Sequence, residues 1–272
     1  MFLKHIIRPP IKDHIITAIL QQVEFERDGY VINRSAVKGC VTVLSLLDVE
    51  VGGDSVYQTD LEPAILRESA EFYRKEGLKL VETCDAPEFL QRVSLFPFIF
   101  PATDYMQIQG RFDSEESRTH HYLSPRTAGP LKQILKDSLL TPHLTAIISM
   151  PNSGLDNMID SDKVDDMARM YRLFTTVPTG MPCLKRSIKN SIARRGKEIN
   201  DSSLGLVGLD TANGDVDSKS NPKTAKAVAQ TLALALKWVQ DVLDLKDKFD
   251  SIWKRAFEKD RELESGLNEV SP

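Results

Sequence analysis

Histidines are the first residues in this sequence with types suited to chemistry. His120 and His121 stand side by side, and histidine is a common metal ligand. Adjacent residues of a helix point about 100° apart, however, and no cysteine or acidic residue stands at the spacing of a zinc site. We interpret the pair as a solvated helix face. His5, His14 and His143 are isolated and are interpreted as surface or hydrogen-bonded residues, so no metal site is predicted.

Two short motifs resemble parts of catalytic or phosphate-binding loops. Gly196-Lys197-Glu198 ends with the wrong residue for a phosphate loop and lacks its upstream glycine, so it is interpreted as a helix end. Asn152-Ser153-Gly154 is a turn signal, because no Gly-x-Ser-x-Gly elbow surrounds the serine. The sequence therefore predicts no catalytic residue and no cofactor-binding residue.

Charged residues form one basic stretch and two acid pairs. The basic stretch comprises Lys185, Arg186, Lys189, Arg194, Arg195 and Lys197. It has no interleaved aromatic residues and the chain carries a net charge of -4, which favours a solvated helix face over nucleic-acid binding. Asp165-Asp166 and Glu115-Glu116 fall between apolar positions of helical spacing, so both pairs are predicted to face water and to titrate as ordinary carboxylates. No general acid or base, and hence no enzyme, is predicted.

Composition indicates a globular protein that remains in a reducing compartment. Hydrophobic residues make up 41% of the chain and charged residues 27%. Cys40, Cys84 and Cys183 lie far apart and are interpreted as reduced thiols of a cytoplasmic or nuclear protein. The sequence has no signal peptide and no apolar run long enough to span a bilayer, so neither secretion nor membrane insertion is expected.

Apolar residues recur at intervals of three and four through most of the chain, which predicts an all-α fold. In the first half the predicted stripes are Ile15, Ile16, Ile19, Leu20 and Val23, then Val37, Val41, Leu44 and Leu47, then Leu61, Ile65, Phe72 and Leu80. Asp28-Gly29 is predicted to stop the first helix and Asn33 to cap the second. The run Val41-Thr42-Val43 lies inside a helical stripe, so no sheet is predicted.

The second half has the same periodicity. Its predicted stripes are Leu131, Ile134 and Leu135, then Val164, Met167, Tyr171 and Phe174, then Leu232, Leu236, Val239, Val242, Leu245 and Phe249. Thr141-Pro142 and Asn221-Pro222 are predicted as cap and first-turn pairs, and Val177–Gly180 as a helix break. Two segments interrupt the pattern: Ser94–Gln109, rich in Phe and Pro, and Ser202–Ser220, predicted to be a disordered surface loop.

Six ordered blocks of the sequence resemble the N-terminal stalk of cullins, the scaffolds of RING-type ubiquitin ligases. The blocks are Glu24–Arg34, similar to the family's E-R-x-G-x-x-I-N-R signature, Val56-Tyr57, Glu68–Glu76, His121–Leu123, Met170–Phe174 with Val177–Gly180, and Lys248–Asp250 with Ala256–Arg261. Met150–Leu155 and Ser55–Tyr57 look most like the cullin-3 branch and its fungal members. The resemblance covers most of the chain.

The resemblance implies that five-helix cullin repeats stack into an elongated, arched rod. Residues 1–125 would form the second repeat and residues 126–272 the third. Stacked repeats suit a scaffold, because each repeat buries its apolar stripes against its neighbours. A stiff rod can then hold a charged ubiquitin-conjugating enzyme near a substrate, which is catalysis by positioning.

The resemblance also implies partners for the full-length family, a BTB adaptor at one end and a RING-box protein at the other. This chain starts where the second repeat would start and stops before the globular C-terminal region, so we expect neither subunit to bind it tightly and assign it no partner-binding residue. The alternatives are a helical adaptor or repeat protein unrelated to ubiquitin, and a non-functional gene fragment. Residues 94–109 depart from the family pattern, and a retained in-frame intron and an apolar insertion loop both remain open.

Overall fold

The computed structural model of the protein describes residues 9–48, 53–93, 111–211 and 222–268. Within these ranges the chain consists of helices and turns, with one isolated antiparallel bridge between Asp48 and Ser55. The predicted all-α class is confirmed. None of the described helices combines the length and the apolar character that a membrane crossing requires. The chain divides into two compact units, Met1–Met150 and Pro151–Pro272.

The described part of the first unit contains seven α-helices. They are α1 (Pro9–Arg27), α2 (Arg34–Leu46), α3 (Glu62–Thr83), α4 (Ala86–Val93), α5 (Arg111–His121), α6 (Ala128–Leu135) and α7 (Leu144–Ile148). A π-helical turn, Tyr57–Leu61, leads into α3, and another, Lys136–Leu140, follows α6. The predicted insertion, residues 94–109, lies outside the described residues.

The start and stop signals of α1 and α2 act as predicted. Gly29 has a φ of 92°, a left-handed conformation that glycine adopts without strain, and it ends α1 in a loop where the Tyr30 N–H donates to the Phe25 carbonyl at 2.9 Å. The Asn33 side chain accepts a hydrogen bond from the Ala36 N–H at 3.0 Å and so caps α2. Val37, Val41 and Leu44 are buried, which confirms the second stripe.

The stripe of α3 differs from the prediction at one position. Leu61, Ile65 and Leu80 are buried as expected, but Tyr73 is buried in place of its neighbour Phe72, which is only partly covered. Thr141 also differs, because its hydroxyl donates to the Lys136 carbonyl at 2.8 Å instead of capping the following helix. That hydroxyl bonds back to the first carbonyl of the π-helical turn, and a short 3₁₀ turn, Thr141–His143, begins at Thr141.

Residues after Pro125 continue the first unit. α6 and the turn Lys136–Leu140 both pack against α3, and α6 also packs against α5. The first unit therefore ends at Met150, beyond the repeat boundary that the sequence placed between residues 125 and 126. The assignment of residues 1–125 and 126–272 to separate cullin repeats stays a prediction.

The described part of the second unit contains five helices. They are α8 (Leu155–Asp160), α9 (Val164–Thr175), α10 (Gly180–Thr211), α11 (Pro222–Arg255) and α12 (Arg261–Asn268). Met167, Tyr171 and Phe174 of α9 are buried, which confirms the predicted seam. α9 ends before Gly180 as predicted. A Cβ at Gly180 would lie 2.1 Å from the Phe174 carbonyl oxygen, so the break between α9 and α10 requires glycine at this close approach.

Helix α10 extends further than the sequence indicates. Gly196-Lys197-Glu198 lies inside it and is not a helix end, and residues 202–211 of the predicted disordered loop are helical. The hydroxyls of Ser202 and Ser203 donate to the carbonyls of Glu198 and Ile199, at 2.6 and 3.0 Å. These serines are compatible with helix because their side chains bond within the preceding turn. Residues 212–220, and the predicted cap Asn221, lie outside the described residues.

The stripe of α11 is buried only near its C-terminal end. Phe249 and Ile252 are 4% and 2% exposed, whereas Leu232 and Leu236 are 59% and 62% exposed. The periodic pattern predicted the helix correctly. The apolar face of its first half is largely exposed in the described structure, because periodicity identifies an apolar face without supplying a neighbour for it.

Candidate functional site

The histidines, the turn residue Asn152 and the cysteines are the residues from the sequence analysis whose positions in the structure remain to be described. His120 and His121 are exposed at the end of α5, and His121 Nδ1 lies 2.6 Å from the Ser117 carbonyl oxygen. Asn152 has a positive φ of 59° in the turn before α8, in keeping with the predicted turn. In the described ranges no three His, Cys, Asp or Glu residues converge in a way that could hold a metal ion. None of the three cysteines forms a disulfide; Cys40 is exposed, and Cys84 and Cys183 are buried.

A buried polar cluster in the first unit is the densest group of titratable residues in the described structure. We name it the Arg27 cluster, and its members are Glu26, Arg27, Tyr73, Glu115, Arg118 and Tyr122. Its residues come from α1, α3, α5 and the turn after α5. Arg27, Glu115 and Arg118 are 5%, 2% and 6% exposed, so these charges are almost completely removed from water. The cluster joins segments that are distant in sequence.

Glu115 is the centre of the Arg27 cluster. Its Oε1 accepts hydrogen bonds from Arg27 Nε at 2.8 Å, from Arg118 Nη1 at 2.7 Å and from the Tyr73 hydroxyl. Its other oxygen, Oε2, is buried without a hydrogen-bond partner among the described residues. Such an arrangement is stable only while both cations remain, because removing one leaves a buried carboxylate incompletely neutralised.

Glu26 completes the cluster on its more exposed side. Its Oε2 accepts from Arg118 Nε at 2.9 Å and from the Tyr122 hydroxyl at 2.7 Å, and its Oε1 accepts from Arg34 Nε at 2.6 Å. Arg27, from the same motif, also donates through Nη2 to Ser69 Oγ at 2.6 Å. The block Glu24–Arg34 therefore supplies three charged side chains to these contacts.

The pKa values within the cluster favour charged carboxylates and guanidiniums and neutral tyrosines. Burial alone would raise the pKa of Glu115, but Arg27 and Arg118 outweigh it and hold that pKa below its ordinary value. Burial likewise opposes the charge of Arg27, and the Glu115 carboxylate reverses this and raises the Arg27 pKa. Burial, with Glu115 adding to it, raises the pKa of Tyr73 well above its ordinary value, so the phenol remains a donor.

Glu115 corrects the prediction made for the pair Glu115-Glu116. Glu116 is exposed and pairs with Lys132 at 3.2 Å, as expected of a solvated carboxylate. Glu115 is buried, and its pKa is lowered by two cations. The sequence prediction is wrong here because α5 presents polar residues on both faces, and its inner face is covered by Arg27 and Tyr73 from other helices. The sequence signal that could have indicated the burial of Glu115 was Arg27, an arginine of the block Glu24–Arg34 that stands next to the end of a helix.

Further contacts extend from the cluster along α3. Arg111 at the start of α5 pairs with Glu76 and donates to the Arg27 carbonyl at 3.0 Å. The Arg27 and Arg111 guanidiniums lie 5.2 and 6.0 Å from the centre of the Phe72 ring. Tyr57 shares a hydrogen bond with Thr127 at 2.6 Å, and Thr127 donates to Glu62 at 2.8 Å. These contacts hold α1, α3 and α5 in one arrangement.

The second unit has a smaller polar group, which we name the Arg195 cluster. Arg195 on α10 donates to Asp156 and Asp160 on α8, at 2.8 and 2.7 Å, and to Ser191. Arg195 is 9% exposed, so this member of the predicted basic stretch does not belong to a solvated face. Burial would raise the pKa of Asp156, but hydrogen bonds from Ser191 and Arg195 lower it below its ordinary value.

A second polar corner in this unit surrounds Asp260. Its Oδ2 accepts from the Tyr171 hydroxyl at 3.0 Å, and its Oδ1 accepts from the N–H groups of Glu262 and Leu263, at 2.8 and 3.1 Å, which caps α12. Burial and the neighbouring Asp260 raise the pKa of Tyr171 to about 12. Asp260 therefore connects α9 to the start of α12, because its side chain accepts hydrogen bonds from Tyr171 and from the first backbone N–H groups of α12.

Both clusters are suited to holding helices together. Their acids are already matched with guanidiniums, and no described nucleophile stands beside a free base in either of them. Residues in such arrangements act by positioning secondary structure. The geometry is therefore that of a structural helical module.

Comparison with protein families agrees with this architecture. The family model described as "Cullin alpha solenoid domain" matches residues 1–97 and 98–271. The match extends over nearly the whole chain, so the protein belongs to the cullin family. The block Glu24–Arg34 and the helical pattern pointed to the same family.

The chain is similar to cullin-3 proteins and to a cullin-4 protein at comparable identity. It is 27% identical over 253 residues to Cullin-3 of Dictyostelium discoideum, covering 93% of this chain and 27% of that protein. It is 26% identical to Cullin-3A of Arabidopsis thaliana, covering 95% of this chain and 29% of that protein, and 28% identical to Cullin-4A of Homo sapiens, covering 99% and 28%. The chain thus spans less than a third of the length of these relatives.

Proposed function

We propose that this chain is a non-catalytic structural segment of the scaffold of a cullin-RING ubiquitin ligase, acting in ubiquitin-dependent protein degradation. The observation that carries the proposal is the family match over residues 1–97 and 98–271. The buried clusters support a mechanical task, because charges tied across several helices favour a single packing arrangement. Rigidity is the property a spacer needs.

The mechanism we propose is positional. A ligase scaffold holds a charged ubiquitin-conjugating enzyme and a substrate close together, so that the transfer reaction becomes effectively unimolecular. Each helix pair that resists bending preserves that distance. In this proposal the Arg27 cluster fixes α1, α3 and α5 within the first unit, and the Arg195 cluster fixes α8 and α10 within the second. The stacking of repeats into an arched rod belongs to the same proposal.

The proposed partners are a BTB adaptor and a RING-box protein, in the cytoplasm or the nucleus. The test is affinity purification of the tagged full-length gene product from its source cells under native conditions, beside this chain alone, followed by mass spectrometry. We expect a small RING protein and a BTB-domain protein to be enriched with the full-length product over a tagged helical protein of equal abundance, and neither to be enriched with this chain alone. Recovery of neither with the intact full-length product would reject the ligase-scaffold proposal.

A further inference from the structure

Three hydroxyl residues of the chain are followed by proline, the sequence that proline-directed protein kinases accept. They form the dipeptides Ser124-Pro125, Thr141-Pro142 and Ser271-Pro272. The last of these lies outside the described residues. The other two belong to the first unit, where Ser124 precedes α6 and Thr141 follows the π-helical turn Lys136–Leu140. Their surroundings differ in ways that decide which of the two a kinase can use.

The backbone of Ser124 has the conformation in which kinases bind a substrate. Its φ and ψ are -78° and 135°, which is extended, whereas those of Thr141 are -54° and -44°, which is helical. A residue before proline favours the extended region, so Ser124 keeps its own backbone conformation when it enters an extended binding groove. Thr141 would first have to unwind from the end of the π-helical turn.

The hydroxyl groups of the two residues differ in the same sense. Both residues are partly exposed. Ser124 Oγ makes no hydrogen bond to a described residue, whereas Thr141 Oγ1 donates to the Lys136 carbonyl at 2.8 Å. Reaction at Thr141 would therefore break a hydrogen bond that reaction at Ser124 does not.

The residues that follow each hydroxyl also differ in exposure. Pro125 and Arg126 are both exposed, so Ser124–Arg126 is an accessible stretch between the buried residues Leu123 and Thr127. This stretch contains the hydroxyl and the proline on which proline-directed recognition depends. Pro142 is exposed, but the residue after it is buried His143. The accessible stretch at Thr141 is therefore shorter.

A phosphate on Ser124 would have a cation beside it. Arg126 is two residues away, and its side chain is 53% exposed. Its Nε lies 3.4 Å from Glu62 Oε2, which is long for a charge-assisted hydrogen bond. The guanidinium can therefore turn to the phosphate without losing a strong contact, and an arginine beside a phosphoserine stabilises the modified form.

We propose that Ser124 is a phosphorylation site for a proline-directed protein kinase. In the reaction Ser124 Oγ attacks the γ-phosphorus of ATP, the bond from that phosphorus to the oxygen it shares with the β-phosphorus breaks, and ADP leaves. The hydroxyl proton passes to a carboxylate of the kinase. The product adds close to two negative charges to the turn between α5 and α6. The inference goes beyond the scaffold role and does not depend on it.

The test compares Ser124 with Thr141 in the same chain. The folded chain is incubated with magnesium, ATP and a purified mitogen-activated protein kinase, and peptide mapping by mass spectrometry gives the initial rate of phosphorylation at each residue. Two synthetic 13-residue peptides, centred on Ser124 and on Thr141, give the preference of the kinase for the two sequences without the fold.

The ratio of the Ser124 rate to the Thr141 rate should be about tenfold higher in the folded chain than in the peptides, because Thr141 alone must lose a hydrogen bond and a helical turn. Phosphorylation of unfolded chains would give the ratio of the peptides. Equal ratios, or a folded chain without phosphate on Ser124, would overturn the proposal.

A variant tests whether the proline directs the reaction. Pro125→Ala should abolish phosphorylation of Ser124 and leave the rate at Thr141 unchanged, with the same circular dichroism as the wild type. Ser124→Ala is the control for peptide mapping, because it removes the acceptor hydroxyl and keeps Pro125. Phosphorylation of Ser124 that persists in Pro125→Ala would overturn the assignment to a proline-directed kinase.

Discussion

The Arg27 cluster and the Arg195 cluster use the same chemistry in different surroundings. Each has an arginine donating to carboxylates on another helix. The side chain of Glu115, the main acceptor of Arg27, is 2% exposed, whereas those of Asp156 and Asp160, the acceptors of Arg195, are 55% and 59% exposed. We infer that the free-energy cost of losing one member of an ion pair depends mainly on the hydration of the member that remains.

Hydration of the remaining partner determines the cost of breaking each cluster. A carboxylate at the surface regains water when its arginine is removed, so little free energy is lost. A carboxylate inside the helix bundle cannot regain water, and its uncompensated charge opposes folding. The first unit should therefore be sensitive to single changes of charge and the second should not.

Arg27→Met should have the largest effect. It removes the Nε donor to Glu115 and the Nη2 donor to Ser69, and we expect a loss of about 3 to 5 kcal/mol in the free energy of unfolding of the first unit. Hydrogen exchange followed by mass spectrometry on peptides of α1, α3 and α5 measures this unit separately. The double variant Arg27→Met, Glu115→Leu should recover part of the loss, because it removes the stranded charge as well.

Arg195→Met is the matched change in the second unit. Because Asp156 and Asp160 stay hydrated, we expect a loss of about 1 kcal/mol. Trp238 and Trp253, the two tryptophans of the chain, both lie in α11, so denaturant titration with tryptophan fluorescence reports on this unit. Equal losses for Arg27→Met and Arg195→Met would contradict the comparison.

The apolar seam of α9 should support the second unit more than its charges do. Phe174 is fully buried and Tyr171 is 8% exposed, so Phe174→Ala and Tyr171→Ala should each cost around 3 to 5 kcal/mol if the cavity cannot collapse. Tryptophan fluorescence in denaturant again provides the measurement. Leu232→Ala on the exposed part of α11 is the control, with an expected change within about 0.5 kcal/mol. Wild-type stability in both seam variants would mean that the helix face is wrongly assigned.

Gly77 offers a test of packing in the first unit that involves no charge. A Cβ at this position would lie 2.7 Å from His143 Nε2, so Gly77→Ala should cost about 1 to 3 kcal/mol through overpacking. Gly39 of α2 has open space around it, and Gly39→Ala should stabilise the unit by up to about 1 kcal/mol through helix propensity. Protection of the α3 peptides against hydrogen exchange should fall in Gly77→Ala and not in Gly39→Ala. A stabilising Gly77→Ala would show that the helices do not approach so closely.

His143 makes the first unit sensitive to mild acid. Burial lowers the pKa of His143 in the folded state below the ordinary 6.5, so the unfolded chain takes up a proton at higher pH than the folded chain. The contribution of neutral, buried His143 to the free energy of unfolding is fully present above pH 6.5. It is lost as the pH falls from there through the lowered pKa of His143. Hydrogen exchange on α3 and α7 peptides at decreasing pH should show the loss, and His143→Gln should remove that part of the pH dependence. The second unit, whose described part contains no histidine, should not follow this profile.

Local sequence signals were sufficient to predict several of the helices. Periodic apolar residues identified α1, α2, α3 and α9, and Gly29 and Asn33 marked the ends where the structure has them. These signals are local, because a helix hydrogen-bonds within itself and its apolar face shows in its own spacing. The order of the six blocks that resemble the cullin stalk was enough to indicate the cullin family.

Which polar residues are buried together depends on long-range packing and could not be predicted from the sequence. Arg27 and Glu115 are separated by 88 positions, and nothing in the period of α5 distinguishes buried Glu115 from exposed Glu116. The same holds for α11, whose stripe is buried at Phe249 and exposed at Leu236. Periodicity records the orientation of a side chain about its own helix axis. Its burial and its pKa depend on the neighbouring helix, which long-range packing alone supplies.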